Sequence, residues 1–107
     1  KASSILEIED GYLLIGSTSS YGVGNYDMYV IKTDKKGKKL WQNTYGNADN
    51  DYGYTAEKID FGYLIKGFTQ LCNSRDVLDR DCSMNVWFVT IDKNGNQISS
   101  KILERVE

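Results

Sequence analysis

Apolar residues recur at alternate positions along this chain, and short clusters of Gly, Asp, Asn and Lys interrupt the alternation at strand-length intervals. Alternation is the pattern of a β-strand, whereas an α-helix repeats its apolar positions about every 3.6 residues. The pattern therefore predicts β-strands throughout. The predicted strands are 2–8, 12–19, 27–34, 39–45, 52–59, 63–69, 85–92 and 97–103.

The second and third strands of each half contain continuous apolar runs rather than a strict alternation. These runs are 12–15, 28–31, 63–65 and 86–89. A strand with one face in water would alternate, so the runs indicate strands that are covered on both faces. The outer strands, such as 39–45, are more mixed in character. This gradient predicts a sheet that lies between two neighbouring sheets.

The chain carries the same pattern twice. Residues 9–18 return as 60–69, a shift of 51 positions, and residues 27–37 return as 85–95, a shift of 58 positions. A repeat of about this length is typical of a stacked or radial array, because a single unit cannot bury its apolar faces alone.

Each repeat is predicted to be a four-stranded antiparallel meander, the first formed by residues 1–46 and the second by residues 47–107. Gly37 and Gly95 follow Asp-Lys-Lys and Asp-Lys-Asn, which is typical of a type I turn closed by a glycine with left-handed backbone. The same role is expected of the glycines in the other two turns, Gly11 and Gly62. The sequence thus predicts a single all-β domain of two such sheets packed face to face.

Three segments carry a resemblance to a known family. They are DGYLLIG at 10–16, DMYVIKTDKKG at 27–37 and LWQNTYG at 40–46, the last followed by Asp49 and Asp51. They resemble the tandem repeats of bacterial and archaeal β-propellers, whose blades are rich in segments such as DGGYIIAG, DWLIKLDxxG and WxKTYG. The resemblance covers essentially the whole chain as two blades. It implies an architecture and says almost nothing about activity.

The second repeat departs from this pattern at its last strand. Ser99 stands where the first repeat has Trp41, and Leu103 stands where it has Tyr45. We therefore expect the second repeat to be a terminal blade. A closed propeller takes at least about four blades, so two blades cannot close one. Three arrangements stay open: a ring of several copies, a piece of a longer propeller, and a free two-sheet sandwich.

Composition and charge narrow the range of partners. The chain has 107 residues, of which 40% are hydrophobic and 26% charged, as in an ordinary globular domain. A net charge of −2 gives no basic footprint for a nucleic acid, so none is predicted as a partner. No apolar stretch approaches the ~20 residues that span a bilayer, so we predict no membrane span.

The two cysteines, Cys72 and Cys82, lie in the insertion that makes the second repeat longer than the first. A pair of cysteines within one loop favours a local disulfide, and a disulfide favours an extracellular, cell-surface or periplasmic location. Two free thiols or a metal-binding pair are the alternatives.

The sequence offers little catalytic chemistry. Histidine is absent, so neither a Ser-His-Asp nor a Cys-His arrangement can form. Most carboxylates fall at turns, where side chains of this kind commonly bond the backbone. No catalytic residue is predicted, and the chain is expected not to be an enzyme.

Asn47, Asp49 and Asp51 place oxygen ligands at alternate positions, as calcium-binding loops do. The glycine comes one position later than in the usual loop, and no distal Glu is in register. Turn side chains that bond their own backbone are the competing interpretation. Calcium is the one cofactor that the sequence leaves open.

Loops on a rigid β scaffold commonly carry binding residues. The candidates in the two long loops are Tyr21, Asn25, Tyr26, Arg75, Asp76, Asp79 and Arg80. Trp41 and Trp87 could stack on a sugar, but their positions in strands favour packing between blades.

These observations predict a non-enzymatic binding or scaffolding module. Its expected partners are other copies of itself or the remaining blades of a longer chain, with a protein or glycan as a further ligand. The alternatives are a lectin-like carbohydrate-binding oligomer and a fragment of a larger propeller enzyme.

Overall fold

A computed structural model describes residues 2–19, 26–46, 50–72 and 82–103. Sheet I consists of β1 (Ala2–Ile8), β2 (Gly11–Thr18), β3 (Asp27–Asp34) and β4 (Lys39–Tyr45). Sheet II consists of β5 (Asp51–Ile59), β6 (Gly62–Cys72), β7 (Cys82–Asp92) and β8 (Gln97–Leu103). In each sheet the strands follow one another in chain order, and every pair is antiparallel. The all-β fold of two four-stranded meanders is confirmed.

The strands β6 and β7 extend further than the sequence pattern predicted. Their ladder continues past the predicted limits, Thr69 and Asn85, until Cys72 faces Cys82. Three additional residue pairs were therefore assigned wrongly to a loop. The last of these pairs places the two cysteines opposite each other in the antiparallel ladder, and the disulfide between them holds this end of the ladder together.

The β3–β4 and β7–β8 turns have the predicted form. Gly37 and Gly95 have φ values of 86° and 87°, in the left-handed region that favours glycine. In both turns an aspartate at the end of the preceding strand accepts hydrogen bonds from the turn amides. Asp34 Oδ1 bonds the amides of residues 36 and 38, and Asp92 Oδ1 bonds those of residues 94 and 96.

The role assigned to Gly11 and Gly62 was wrong. Each is the first residue of a strand rather than the last residue of a turn, and Gly62 has no positive φ. A Cβ atom at Gly62 would lie 2.0 Å from the carbonyl oxygen of Ile91, and one at Gly11 would lie 1.9 Å from that of Thr33. These glycines are required by the close approach of the neighbouring strand.

The core lies between the two sheets. Strand β5 lies against β1, β2 and β3. Its Gly53 comes so close to sheet I that a Cβ there would lie 2.6 Å from Ile15 Cγ2 and 2.9 Å from Met28 Cγ. The packed face of sheet I presents Leu13, Ile15, Met28 and Val30, and that of sheet II presents Tyr63, Ile65, Trp87 and Val89.

Each sheet has one packed face, whereas the apolar runs predicted that both faces would be covered. Free face I, on the outside of sheet I, presents Tyr12, Leu14, Tyr29 and Ile31. Free face II, on the outside of sheet II, presents Leu64, Lys66, Val86 and Phe88. Their side chains are half-buried by neighbours within the sheet, except Tyr12, which is exposed. Among the residues that the structure describes, no further sheet covers either of these two faces.

Candidate functional site

The predicted ligand-binding residues lie, in the sequence, between β2 and β3 and between β6 and β7. Tyr26 is the one that the structure describes. Its ring is exposed and lies with its centroid 5.7 Å from that of Tyr52, and its carbonyl accepts a hydrogen bond from the amide of Asp51 (2.8 Å). The other candidates lie outside the described residues: Tyr21, Asn25, Arg75, Asp76, Asp79 and Arg80.

Of the three predicted calcium ligands, only Asp51 is described, and Asn47 and Asp49 lie outside the described residues. The Asp51 carboxylate is fully buried and accepts a hydrogen bond from the Thr69 hydroxyl (2.5 Å). A Cβ at Gly46 would lie 2.3 Å from Asp51 Oδ2 and 2.9 Å from Asp27 Oδ1, so the two carboxylates flank this glycine. Calcium binding by this loop stays a prediction.

Four polar residues are buried near one another: the carboxylates of Asp27 and Asp51 flank Gly46, and Thr69, which donates to Asp51, faces Asn85 in the β6–β7 ladder. Asp27 and Thr69 each expose 1% of their surface, and Asp51 exposes none. Buried polar side chains are stable only when they are hydrogen-bonded. The small exposed area leaves these side chains closed to a solute.

The predicted disulfide between Cys72 and Cys82 is confirmed. Their Cα atoms are 4.1 Å apart across the last residue pair of the β6–β7 ladder. The bond closes the base of the long loop, and it is compatible with a secreted protein. Neither free thiols nor a cysteine metal pair is consistent with this bond.

Side chains of β4 hold the turn between β7 and β8. The indole Nε1 of Trp41 donates to the Lys93 carbonyl (3.1 Å), and Asn43 Nδ2 donates to the Gly95 carbonyl (3.0 Å). The Tyr45 hydroxyl also donates to the Gly95 carbonyl (2.5 Å). We call Trp41, Asn43 and Tyr45 the β4 clasp. Trp41 packs against the core and Trp87 lies within it, as predicted for both tryptophans.

The clasp is partly buried, and this affects its electrostatics. Burial raises the pKa of Tyr45 to about 12, with Asp92 adding to the increase and the hydrogen bond to Asn43 opposing it.

Lys32 lies opposite Trp41 in the neighbouring strand and is also buried, with 8% of its surface exposed. Its Nζ donates to the Lys93 carbonyl (3.4 Å) and lies 5.8 Å from the centroid of the Tyr63 ring.

A cleft of about 440 Å³ opens between the sheets at the edge that carries the short turns. Most of the side chains around it are charged. They are Glu9, Asp10, Lys32, Lys58, Asp60 and Lys93, beside Ile8, Ile59, Gly62 and Tyr63. Small-molecule sites of this volume are usually lined mainly by apolar and aromatic groups. The mixed charges make this cleft a solvated groove where the two sheets diverge.

The free faces have a simple relation to the packed faces. In the alignment of the two repeats, each residue of β2 corresponds to the residue 51 positions later in β6, and each residue of β3 to the residue 58 positions later in β7. Free face I then corresponds to packed face II: Tyr12 to Tyr63, Leu14 to Ile65, Tyr29 to Trp87 and Ile31 to Val89. Packed face I corresponds to free face II: Leu13 to Leu64, Ile15 to Lys66, Met28 to Val86 and Val30 to Phe88.

No protein-family model matches this sequence, and the search of curated proteins returned no match. Function is therefore inferred from the two sheets and their surfaces. In the parts of the chain that the structure describes, no three His, Cys, Asp or Glu side chains are arranged to hold a metal ion. The same parts contain no helix long and apolar enough to cross a membrane.

Sequence reasoning did not identify the acceptors of the β4 clasp or the free faces as candidate sites. The acceptors are backbone carbonyls of Lys93 and Gly95, which leave no side-chain signature. The free faces carried a usable signal, because the repeat alignment pairs each of their residues with a buried counterpart. That signal becomes specific only when the structure shows which counterpart is packed.

Proposed function

We propose that this chain is a non-enzymatic scaffolding module, built of two β-propeller-type repeats, whose free faces pack against further sheets of the same kind. The observation that carries this proposal is the correspondence between free and packed faces. An interface between two unlike faces can be repeated indefinitely, and it generates a ring if the rotation closes and a filament if it does not.

The chemistry of the free faces supports the proposal. Free face I offers two aromatic and two aliphatic side chains. Free face II offers Leu64, Val86 and Phe88 beside Lys66, and the flanking strands add Glu57 and Lys101. Their counterparts in the packed faces are nearly inaccessible: Tyr63 exposes 4% and Val30 exposes none of its surface. Contiguous apolar faces of this kind commonly mark interaction sites.

Other features are consistent with a scaffold rather than an enzyme. The buried carboxylates Asp27 and Asp51 are closed to solutes. The disulfide supports the proposal that the module works outside the cytoplasm, at the cell surface or in the periplasm. Binding of a protein or glycan at the loop edge around Tyr26 belongs to the same proposal.

The test uses two variants that each block one free face. Tyr12→Lys places a charge on free face I, and Phe88→Lys places one on free face II. Both positions lie on the outside of their sheets, so each variant should keep its fold, which circular dichroism and urea unfolding check. Light scattering over a concentration series then gives the solution mass of the wild type, of each variant and of their equimolar mixture.

A head-to-tail contact makes a distinctive prediction for the mixture. The wild type should associate, and each variant alone should remain a monomer. The mixture should form dimers and nothing larger, since each variant supplies the face that the other lacks. A wild type that is monomeric up to its solubility limit would overturn the proposal. Association that neither substitution weakens would also overturn it.

A further inference from the structure

The two turns that could receive a clasp have the same construction. Gly37 and Gly95 occupy corresponding positions, with φ of 86° and 87°, and each donates its amide to the carbonyl of the strand-end aspartate (3.0 and 3.1 Å). The β7–β8 turn is occupied, because the Trp41 ring lies 2.9 Å from the position of a Cβ at Gly95. Among the described residues, no atom lies within 4 Å of the corresponding point at Gly37.

The turn is repeated in both sheets, but the three donor side chains of the β4 clasp are not. The counterparts of Trp41, Asn43 and Tyr45 in β8 are Ser99, Lys101 and Leu103. None of these three residues can reproduce the indole, amide and phenol donors of the β4 clasp. Lys32 is likewise replaced, by Thr90. Sheet II therefore offers an apolar face without a clasp, whereas sheet I offers an apolar face beside an open turn.

From this asymmetry we infer that free face I is a receptor for a sheet of the same repeat whose outermost strand carries a Trp-x-Asn-x-Tyr clasp. The clasp of that partner would donate to the carbonyls of Lys35 and Gly37, as the β4 clasp donates to those of Lys93 and Gly95. A second copy of this chain can offer only free face II, without those donors, and so is a weaker occupant. The inference rests on the proposed function and specifies its partner.

The test restores the missing clasp in the full chain. The variant Ser99→Trp/Lys101→Asn/Leu103→Tyr gives free face II the three donors, at positions that are all exposed. A second copy of this variant then becomes a clasp-bearing partner for free face I. Since the variant adds three hydrogen bonds across the contact, it should associate with itself at least about tenfold more tightly than the wild type.

Two controls separate the clasp from added apolar surface. The variant Ile98→Trp/Ser100→Asn/Ile102→Tyr places the same three residue types at the alternating positions of β8 and should associate like the wild type. Adding Gly37→Ala to the clasp variant closes the receptor turn, because its methyl group takes the place of the incoming indole. That addition should remove the gain in affinity. Sedimentation equilibrium gives the dissociation constants, and urea unfolding confirms that each variant is folded.

The outcomes distinguish this inference from the proposed function. A clasp variant no tighter than the wild type, or a gain that survives Gly37→Ala, would overturn the inference while leaving head-to-tail association intact. If the wild type does not associate, the proposed function fails as well. A gain of tenfold or more that depends on Gly37 supports both.

Discussion

The indole ring of Trp41 in sheet I occupies the space that a side chain at Gly95 in sheet II would need. Its Cζ3, Cε3 and Cη2 atoms lie 2.9, 3.0 and 3.1 Å from the position of a Cβ there. The contact joins the outermost strand of one sheet to a turn of the other. Residue 95 is therefore required to be glycine for two reasons: its left-handed backbone and its packing against the other sheet.

Replacing Gly95 by alanine should destabilise the protein more than the same change at Gly37. Both substitutions force alanine into left-handed backbone, at a cost of about 1 kcal/mol. Only Gly95→Ala also collides with Trp41, which adds about 1–3 kcal/mol of overpacking. Urea unfolding of both variants measures the difference. Equal losses at the two positions would show that the contact with Trp41 gives way without cost.

Tyr45→Phe should lower the free energy of unfolding by about 0.5–1.5 kcal/mol at neutral pH, because one hydrogen bond is lost. The loss is limited, since the Gly95 carbonyl still accepts from Asn43 (3.0 Å). Urea unfolding at neutral pH measures it. A loss well above this range would mean that the hydroxyl does more than make this bond.

The same variant should change the response to alkali. The folded pKa of Tyr45 is about 12, above the ordinary value of 10.0, so the stabilisation by its neutral phenol is complete below pH 10.0 and disappears as the pH rises towards 12. The stability gap between wild type and Tyr45→Phe should therefore narrow across this window. Unfolding experiments at about pH 9 and about pH 11 compare the two proteins, and a constant gap would contradict the prediction.

Replacing Asp92 by asparagine should make the free energy of unfolding less sensitive to acid. The hydrogen bond from the Asn96 backbone, followed by those from the Asn96 side chain and the neighbouring turn amides, lowers the pKa of Asp92 below 3.8. The carboxylate therefore stabilises the fold above that pH, and the stabilisation disappears as the pH falls through the folded pKa. The unfolding free energy of wild type, measured between about pH 6 and pH 2, should fall relative to that of the variant. Parallel profiles would contradict this assignment.

Replacing both Cys72 and Cys82 by serine should lower stability by up to about 3 kcal/mol, the loop-closure value for a bond spanning a short segment. The free faces lie elsewhere in the sheets, so association should be unaffected. Urea unfolding with and without dithiothreitol provides the control. The reductant should destabilise the wild type and leave the serine variant unchanged, and an effect on both proteins would point to some other process.

The strands and hairpins could be predicted because short stretches of sequence determine them. Turn glycines such as Gly37 and Gly95 fixed the hairpins, and the alternation between them fixed the strands. The ends of β6 and β7 were missed, because the residues next to Cys72 and Cys82 have no counterpart in the first repeat. Their pairing depends on the long ladder and the disulfide.

The surfaces were harder to predict than the strands. Leu13 and Leu14 are adjacent and equally apolar, yet Leu13 is fully buried and Leu14 only partly. Only the packing of the other sheet separates them. The loop candidates were chosen on the general expectation that loops bind, and among them the structure describes Tyr26 alone.

The exposure of β8 determines where this fold should open first. Every residue from Gln97 to Leu103 is exposed, and the strand is held by its ladder with β7. Regions with little buried surface undergo local unfolding at a small fraction of the global free energy. The amides of β8 should therefore exchange with deuterium long before those of β6, whose Ile65 is fully buried. Sheet II would then lose its order from its outer strand inwards, and a sheet resting on free face II would slow that exchange.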